Sequence, residues 1–195
     1  NKKILGSYML SDNTAVLNSF STMWQVLEEN ARTSPNQPAV REKAFGIWQT
    51  WSWRDYNENA TQLALGLIGL GMKDSSPVAI VGNNRQQLYS AMFSVQMAGG
   101  IPIPIYQDAV ADEMLHVLQH SEAEIIIAED QEQVDKVIEL GEKLPKVEKI
   151  IFLEEKSMRG YENDDIISMK NVLASGRDCS NKQVKELEIR KSKQT

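Results

Sequence analysis

Apolar residues recur at helical spacing in some stretches and as short unbroken runs in others, and the two patterns alternate along most of the chain. Residues 1–21 hold no sustained period and read as an irregular arm. From Thr22 to Arg32, Met23, Val26, Leu27 and Ala31 share one helical face, and Thr22 with Gln25 forms a capping-box pattern. Pro35 and Pro38 close that helix. Two short strands follow, Ala39–Glu42 and Ile47–Trp51, with Phe45-Gly46 at the turn, so a small hairpin packing aromatic side chains is expected. Ser52 to Leu70 carries the strongest helical stripe, made of Tyr56, Ala60, Leu63, Ala64, Leu67 and Leu70. Ser52 is placed to cap it, with Asp55 at the third helical position, and Gly71 to stop it.

Beyond Pro77 the rhythm becomes strand and helix in turn. Val78–Val81, Ile101–Ile105, Ile125–Ala128 and Lys149–Leu153 are of strand length and apolar. Between them lie amphipathic segments: one capped by Asn84 and running to Ala98, one from Ala109 to His120, and one capped by Asp130 and running to Leu144. Apolar strands joined by helices imply parallel strands with right-handed crossovers, hence a three-layer α/β sheet of β-α-β units. Pro102 and Pro104 lack ladder donors, which puts their strand at an edge or makes it irregular. Glu154 to Asp165 reads as a surface loop, and Ser168 to Ser175 as a short helix ending at Gly176. Residues 22–176 therefore form one α/β unit. Residues 177–195 form a polar helical tail whose apolar stripe is only Val184, Leu187 and Ile189, a face expected to pack on something else or to fray.

Composition narrows the class. Of 195 residues 42% are hydrophobic and 25% charged, which suits a globular unit with a substantial core. No apolar run approaches the roughly 20 residues of a membrane span, and no secretory signal opens the chain, so a cytoplasmic location is expected. The net charge of −6 argues against a nucleic-acid partner. Arg190, Lys191 and Lys193 form the one basic cluster, expected to be a solvated helix end. Cys179 stands alone and forms no internal disulfide, in keeping with a reducing compartment.

Candidate chemistry is sparse. His116 and His120 lie four apart on a helix, but the H-E-x-x-H order is absent, and two partly exposed histidines beside the Leu115/Leu118 stripe are expected rather than a metal site. Gly66, Gly69 and Gly71 close a helix instead of opening one, so close helix packing is expected rather than dinucleotide binding. There is no G-x-x-x-x-G-K-[ST] loop and no G-x-S-x-G elbow, and no carboxylate pair stands out as acid and base. Ligands of open parallel sheets sit at the carboxyl ends of strands. That rule selects Asn83, Asn84 and Arg85 after one strand and Tyr106 and Gln107 after another. Against it stand ordinary roles: Asn84 as a helix cap, Arg85 as a solvated cation, Tyr106 as loop packing.

Several segments taken together resemble a known family. Trp51-Ser-Trp-Arg-Asp-Tyr56 resembles the helix start of AMP-forming acyl-CoA synthetases, and Gly66-Leu-Ile-Gly-Leu-Gly-Met72 their G-L-x-x-L-G-V segment. Val78-Ala-Ile-Val-Gly-Asn-Asn-Arg85 is similar to V-A-I-x-S-x-N-R, and Gly99-Gly-Ile-Pro-Ile-Pro-Ile-Tyr106 to A-G-x-x-x-V-P-I-Y. His120-Ser-Glu-Ala-Glu-Ile125 matches N-H-S-E-A-x. The P-I-Y and H-S-E-A runs point to the long-chain fatty acid branch. The resemblance spans about Thr22 to Gly176. One departure is Gln107-Asp108, where the family usually has Pro-Thr.

The resemblance implies the N-terminal subdomain of the adenylate-forming fold. It also implies a parent enzyme that uses ATP, Mg2+ and coenzyme A to activate a fatty acid through an acyl-adenylate. The family's Ser/Thr/Gly-rich phosphate loop and the motifs after it do not occur here, so this chain alone is expected to be inactive and to bind none of those cofactors. Its expected partners are the remaining subdomains and the fatty acid; a homodimer, and peripheral membrane contact by the parent, are left open. A related adenylating enzyme with another carboxylate or acceptor, and a non-catalytic binding or assembly domain of the same fold, remain as alternatives. A unit separated from its neighbours is also expected to expose apolar surface.

Overall fold

Ser52 fixes the start of the longest helix. Its hydroxyl accepts the Asp55 N–H at 3.2 Å while the Asp55 carboxylate accepts the Ser52 N–H at 2.9 Å, a reciprocal cap that satisfies two orphan donors. The computed structural model describes residues 20–161 and 163–194. Its elements are α1 (Met23–Thr33), β1 (Pro38–Ala44), β2 (Ile47–Ser52), α2 (Trp53–Gly69), β3 (Pro77–Gly82), α3 (Gln86–Met97), β4 (Ile101–Tyr106), α4 (Ala111–Ser121), β5 (Ile125–Ala128), α5 (Gln131–Leu140), β6 (Lys149–Phe152), β7 (Ile166–Ser168), α6 (Met169–Arg177) and α7 (Asn181–Ser192). All but the last two residues of the arm read over 1–21 lie outside the described residues.

β1 and β2 form an antiparallel hairpin, and the other five strands a parallel sheet in the order β4-β3-β5-β6-β7. Period-two alternation sorts the buried strands between two cores. Val78, Ile80, Ile125, Ile127 and Ile151 face one core, closed by α1, α2, α3, α6 and α7. Ala79, Val81, Ile126, Ala128 and Phe152 face the other, closed by α4 and α5. This is the three-layer α/β arrangement that the alternating pattern predicts.

β4 is an edge strand, as its prolines require. The Ile101 N–H donates to Ser76 O at 2.9 Å, so Ile101, Ile103 and Ile105 turn their backbone groups toward β3. Pro102 and Pro104 then fall on the open side, where the missing donors deny pairing to a further strand.

Gly66 and Gly176 let α2 and α6 touch backbone to backbone. A Cβ on Gly66 would stand 2.3 Å from Val172 O, and one on Gly176 would stand 1.8 Å from Gln62 O. Gly66 and Gly69 of the G-x-x-G-x-G stretch thus serve helix packing, whereas Gly71, at φ +93° with nothing within 4 Å, makes the turn that stops α2.

Four expectations need correction or completion. β7 fills the unassigned gap between the loop expected to end at Asp165 and the helix expected to start at Ser168; Ile166-Ile167 is too short to show a period, and only pairing with β6 extends it. The hairpin turns only part of its aromatic content inward: Trp51 packs against Tyr56 with ring centroids 6.1 Å apart, whereas Phe45 and Trp48 face solvent. Asn84 does not cap α3. That helix starts one residue after Arg85, and the Asn84 Oδ1 accepts from the Tyr89 hydroxyl at 3.1 Å.

The fourth concerns the basic cluster of α7, which is not a solvated end. Arg190 is buried and donates to Met72 O and Ala98 O, each at 2.9 Å, while Glu186 takes its Nε at 2.8 Å. The Ala98 carbonyl caps α3, where a cation meets the negative end of the helix dipole, and the Met72 carbonyl lies three residues past the end of α2. Lys191 pairs with Glu28 and lies 5.0 Å over the Trp24 ring. The thin stripe of α7 is supplemented by polar bonds that sequence periodicity does not display.

Candidate functional site

The strand order is that of a doubly wound sheet whose first two strands in sequence, β3 and β4, lie at one side, with β5 crossing back to the other flank of β3. The carboxyl ends of β3 and β5 therefore diverge into a switch-point crevice. Gly82, Asn83 and Arg85 come to it from β3, and Glu129 from β5.

Arg85 fills that crevice. Its Nε donates to Glu42 at 2.6 Å, and its Nη1 to Glu129 at 2.9 Å and Glu154 at 3.0 Å. Burial alone would ease the guanidinium proton away; hydrogen bonds to Glu154 and Glu129, and the Glu42 charge, outweigh it and hold the Arg85 pKa above its ordinary range. The carboxylates do further work. Glu129 accepts the Asn83 N–H at 2.5 Å, and Glu42 accepts the Gln86 N–H at 3.0 Å. Glu42 thus supplies from the hairpin the cap that Asn84 does not provide to α3. Arg85 is the centre of an ion cluster, not a solvated cation.

Beside this cluster, between the ends of β3 and β4, lies an open cleft of about 490 Å³. Ile80, Leu88, Met92, Pro104 and Ile105 give it an apolar floor, and Asn83, Asn84, Tyr89 and Tyr106 a polar rim. The structure thus brings together Asn83, Asn84 and Tyr106 among the strand-end residues. Gln107 stands apart from the lining: its carbonyl accepts from Gln133 Nε2 at 3.2 Å and Lys136 Nζ at 3.1 Å, and its amide reaches Asp108.

Glu42, Glu129 and Glu154 are functional-site neighbours that sequence reasoning passed over. Glu129 directly follows β5 and Glu154 lies two residues past β6, so the strand-end rule that selected Asn83 also reaches both of them. Glu42 has no such signal, because the hairpin comes to the crevice only by folding over it.

Three carboxylates face one guanidinium whose Nε and Nη1 already donate to them, a net negative setting that repels a polyphosphate instead of cradling one. This cluster among the described residues therefore does not fit the triphosphate of a nucleotide. Among the described residues no group of three His, Cys, Asp or Glu side chains is disposed to hold a metal ion. His116 and His120 stack in near-parallel fashion with centroids 6.1 Å apart. The cleft itself suits an apolar or planar ligand portion met by amide and phenol groups.

Comparison with known proteins places these features in context. The family model described as AMP-binding enzyme matches residues 27–187. The long-chain-fatty-acid–CoA ligase ACSBG2 of Xenopus laevis is 26% identical over 166 residues, covering 85% of this chain and 22% of that protein. The long-chain-fatty-acid–CoA ligase FadD15 of Mycobacterium bovis is 27% identical over 123 residues, covering 63% of this chain and 20% of that protein. The chain thus spans about a fifth of the length of these relatives. The crystal structure of the anthranilate CoA ligase AuaEII with anthranoyl-AMP superposes with a TM-score of 0.68 at 20% identity, over 77% of this chain and 24% of that one. The fold is that of the N-terminal subdomain of adenylate-forming CoA ligases.

Proposed function

Because this chain belongs to the AMP-binding enzyme family, we propose that it forms the N-terminal subdomain of a long-chain fatty acid–CoA ligase. In that reading the parent joins ATP, a fatty acid and coenzyme A into acyl-CoA, AMP and pyrophosphate. The fatty carboxylate displaces pyrophosphate from the α-phosphate, and the coenzyme A thiol then displaces AMP from the acyl-adenylate. Mg2+ and the phosphate-handling groups belong to segments other than the one described here.

The share of this subdomain is structural and steric. It builds the five-stranded sheet, and its cleft of Asn83, Asn84, Tyr89 and Tyr106 forms a wall against which the other subdomains close. The observation that carries the reading is the family match over residues 27–187. The engagement of Arg85 by three carboxylates supports the reading that this part does not adenylate by itself.

The test is to assay the longer polypeptide that carries this chain for fatty acid–dependent AMP and acyl-CoA formation with ATP, Mg2+ and coenzyme A. Acyl-CoA formed from long-chain acids supports the reading. Activity confined to another carboxylate, or to an acceptor other than coenzyme A, replaces it with a related adenylating enzyme. No adenylation by any polypeptide carrying the chain leaves a binding or assembly domain of the same fold.

A further inference from the structure

The β1–β2 hairpin stands apart from the main sheet and ends in an apolar tip. Phe45 and Gly46 make the turn at φ +52° and +77°. Phe45 is wholly exposed, Ile47 and Trp48 keep most of their surface in solvent, and nothing lies within 4 Å of a Cβ built on Gly46. Among the described residues nothing covers the tip.

Charge on the hairpin is sorted by face. Lys43 lies directly across the ladder from Trp48 and Arg41 across from Thr50, so these four residues share one face by strand alternation. Glu42 lies on the opposite face, held by Arg85. Neither Arg41 nor Lys43 enters an ion pair among the described residues. In a chain of net charge −6, one exposed element thus combines a Phe, an Ile and a Trp with two cations that, among the described residues, have no ion-pair partner, and with no carboxylate on the face those cations share.

We propose that this hairpin tip docks on an anionic lipid surface, with Phe45 and Trp48 entering the headgroup boundary and Arg41 and Lys43 meeting lipid phosphates. Trp suits that boundary because an apolar ring carries one polar edge. Lys and Arg stems lie along the apolar layer while their heads stay at the charged surface. Docking on lipid needs no complementary pocket, which a protein partner would have to supply. The proposal does not depend on the ligase reading.

The experiment is co-sedimentation of the purified chain with phosphatidylcholine vesicles, with and without phosphatidylglycerol, at low and raised salt, together with tryptophan emission. The chain binds the anionic vesicles, binding weakens with salt, and emission shifts to the blue. Phe45→Ser with Trp48→Ser lowers the partition coefficient by at least about tenfold. Arg41→Gln or Lys43→Gln each lowers it about fivefold. Trp48→Phe keeps the binding and removes most of the blue shift. All these positions are exposed, so circular dichroism of each variant stays that of the parent chain. No binding, binding indifferent to phosphatidylglycerol, or binding unchanged in the double variant would overturn the proposal. Protection of Trp48 from acrylamide in the lipid-free longer polypeptide would also overturn it, by assigning the tip to a protein contact.

Discussion

Replacing Arg85 by Met strands the carboxylates that converge on it. Glu129 is the costly member, with its side chain only 6% exposed, and Glu42 follows at 17%. Removing one partner of a buried pair costs about 3–5 kcal/mol. The Arg85 side chain is itself 29% exposed and Glu154 40%, so water screens part of the loss and about 3 kcal/mol is the expected figure. With a urea dependence of about 2 kcal/mol per molar for a domain of this size, the unfolding midpoint falls by roughly 1.5 M. The cause is stranded charge, which a second variant isolates. Arg85→Met with Glu42→Gln and Glu129→Gln keeps an oxygen to accept the Gln86 and Asn83 N–H groups while removing both charges. It regains more than half of the loss. Urea titrations followed by far-ultraviolet circular dichroism measure all three proteins. A shift under about 0.5 kcal/mol for Arg85→Met, or a triple variant no more stable than the single one, refutes the reasoning.

Other consequences are simpler to state. Arg190→Met leaves Met72 O and Ala98 O without their charged donor and costs about 2–4 kcal/mol by urea unfolding, whereas the exposed Lys193→Met costs less than about 0.5. Tyr56, whose phenol is pushed up to about 12 chiefly by burial and then by the Tyr89 charge, titrates about two pH units later than an exposed tyrosine by phenolate absorbance. Because its folded pKa is raised, the stability linked to the neutral ring is whole below pH 10 and is lost as the pH climbs to about 12; Tyr56→Phe removes that step from a stability profile. Pro102→Thr with Pro104→Thr restores two donors on the open side of β4 and promotes self-association by light scattering. A double variant as monodisperse as the parent chain would contradict the edge-blocking role.

Much of the architecture is legible because it is written locally. Asp55 three residues after Ser52, the isoleucine run at 125–127, and Pro102 with Pro104 on one strand each state their structure within a few residues, and the parallel pairing of β3 to β6 follows from the alternation of strand and helix. What escaped is non-local. Ile166-Ile167 becomes a strand only beside β6, and Arg190 is buried only because the Met72 and Ala98 carbonyls are presented to it. At the site, Asn83 and Tyr106 are found by strand-end position, and Glu129 and Glu154 satisfy the same rule. Neither lies in a motif, so only strand-end position marks them as partners of Arg85. Glu42 is legible only from the fold, since its cap on α3 bridges 44 residues of sequence.

In the proposed function this subdomain frames a ligand cleft while phosphate chemistry belongs to other segments of the parent. Pyrophosphate exchange into ATP, run with the purified 195-residue chain, Mg2+ and a long-chain fatty acid, tests it most directly. The account predicts no exchange above the protein-free rate. Fatty acid–dependent exchange that tracks the chain through purification would contradict it, and would require a phosphate-binding site within these residues.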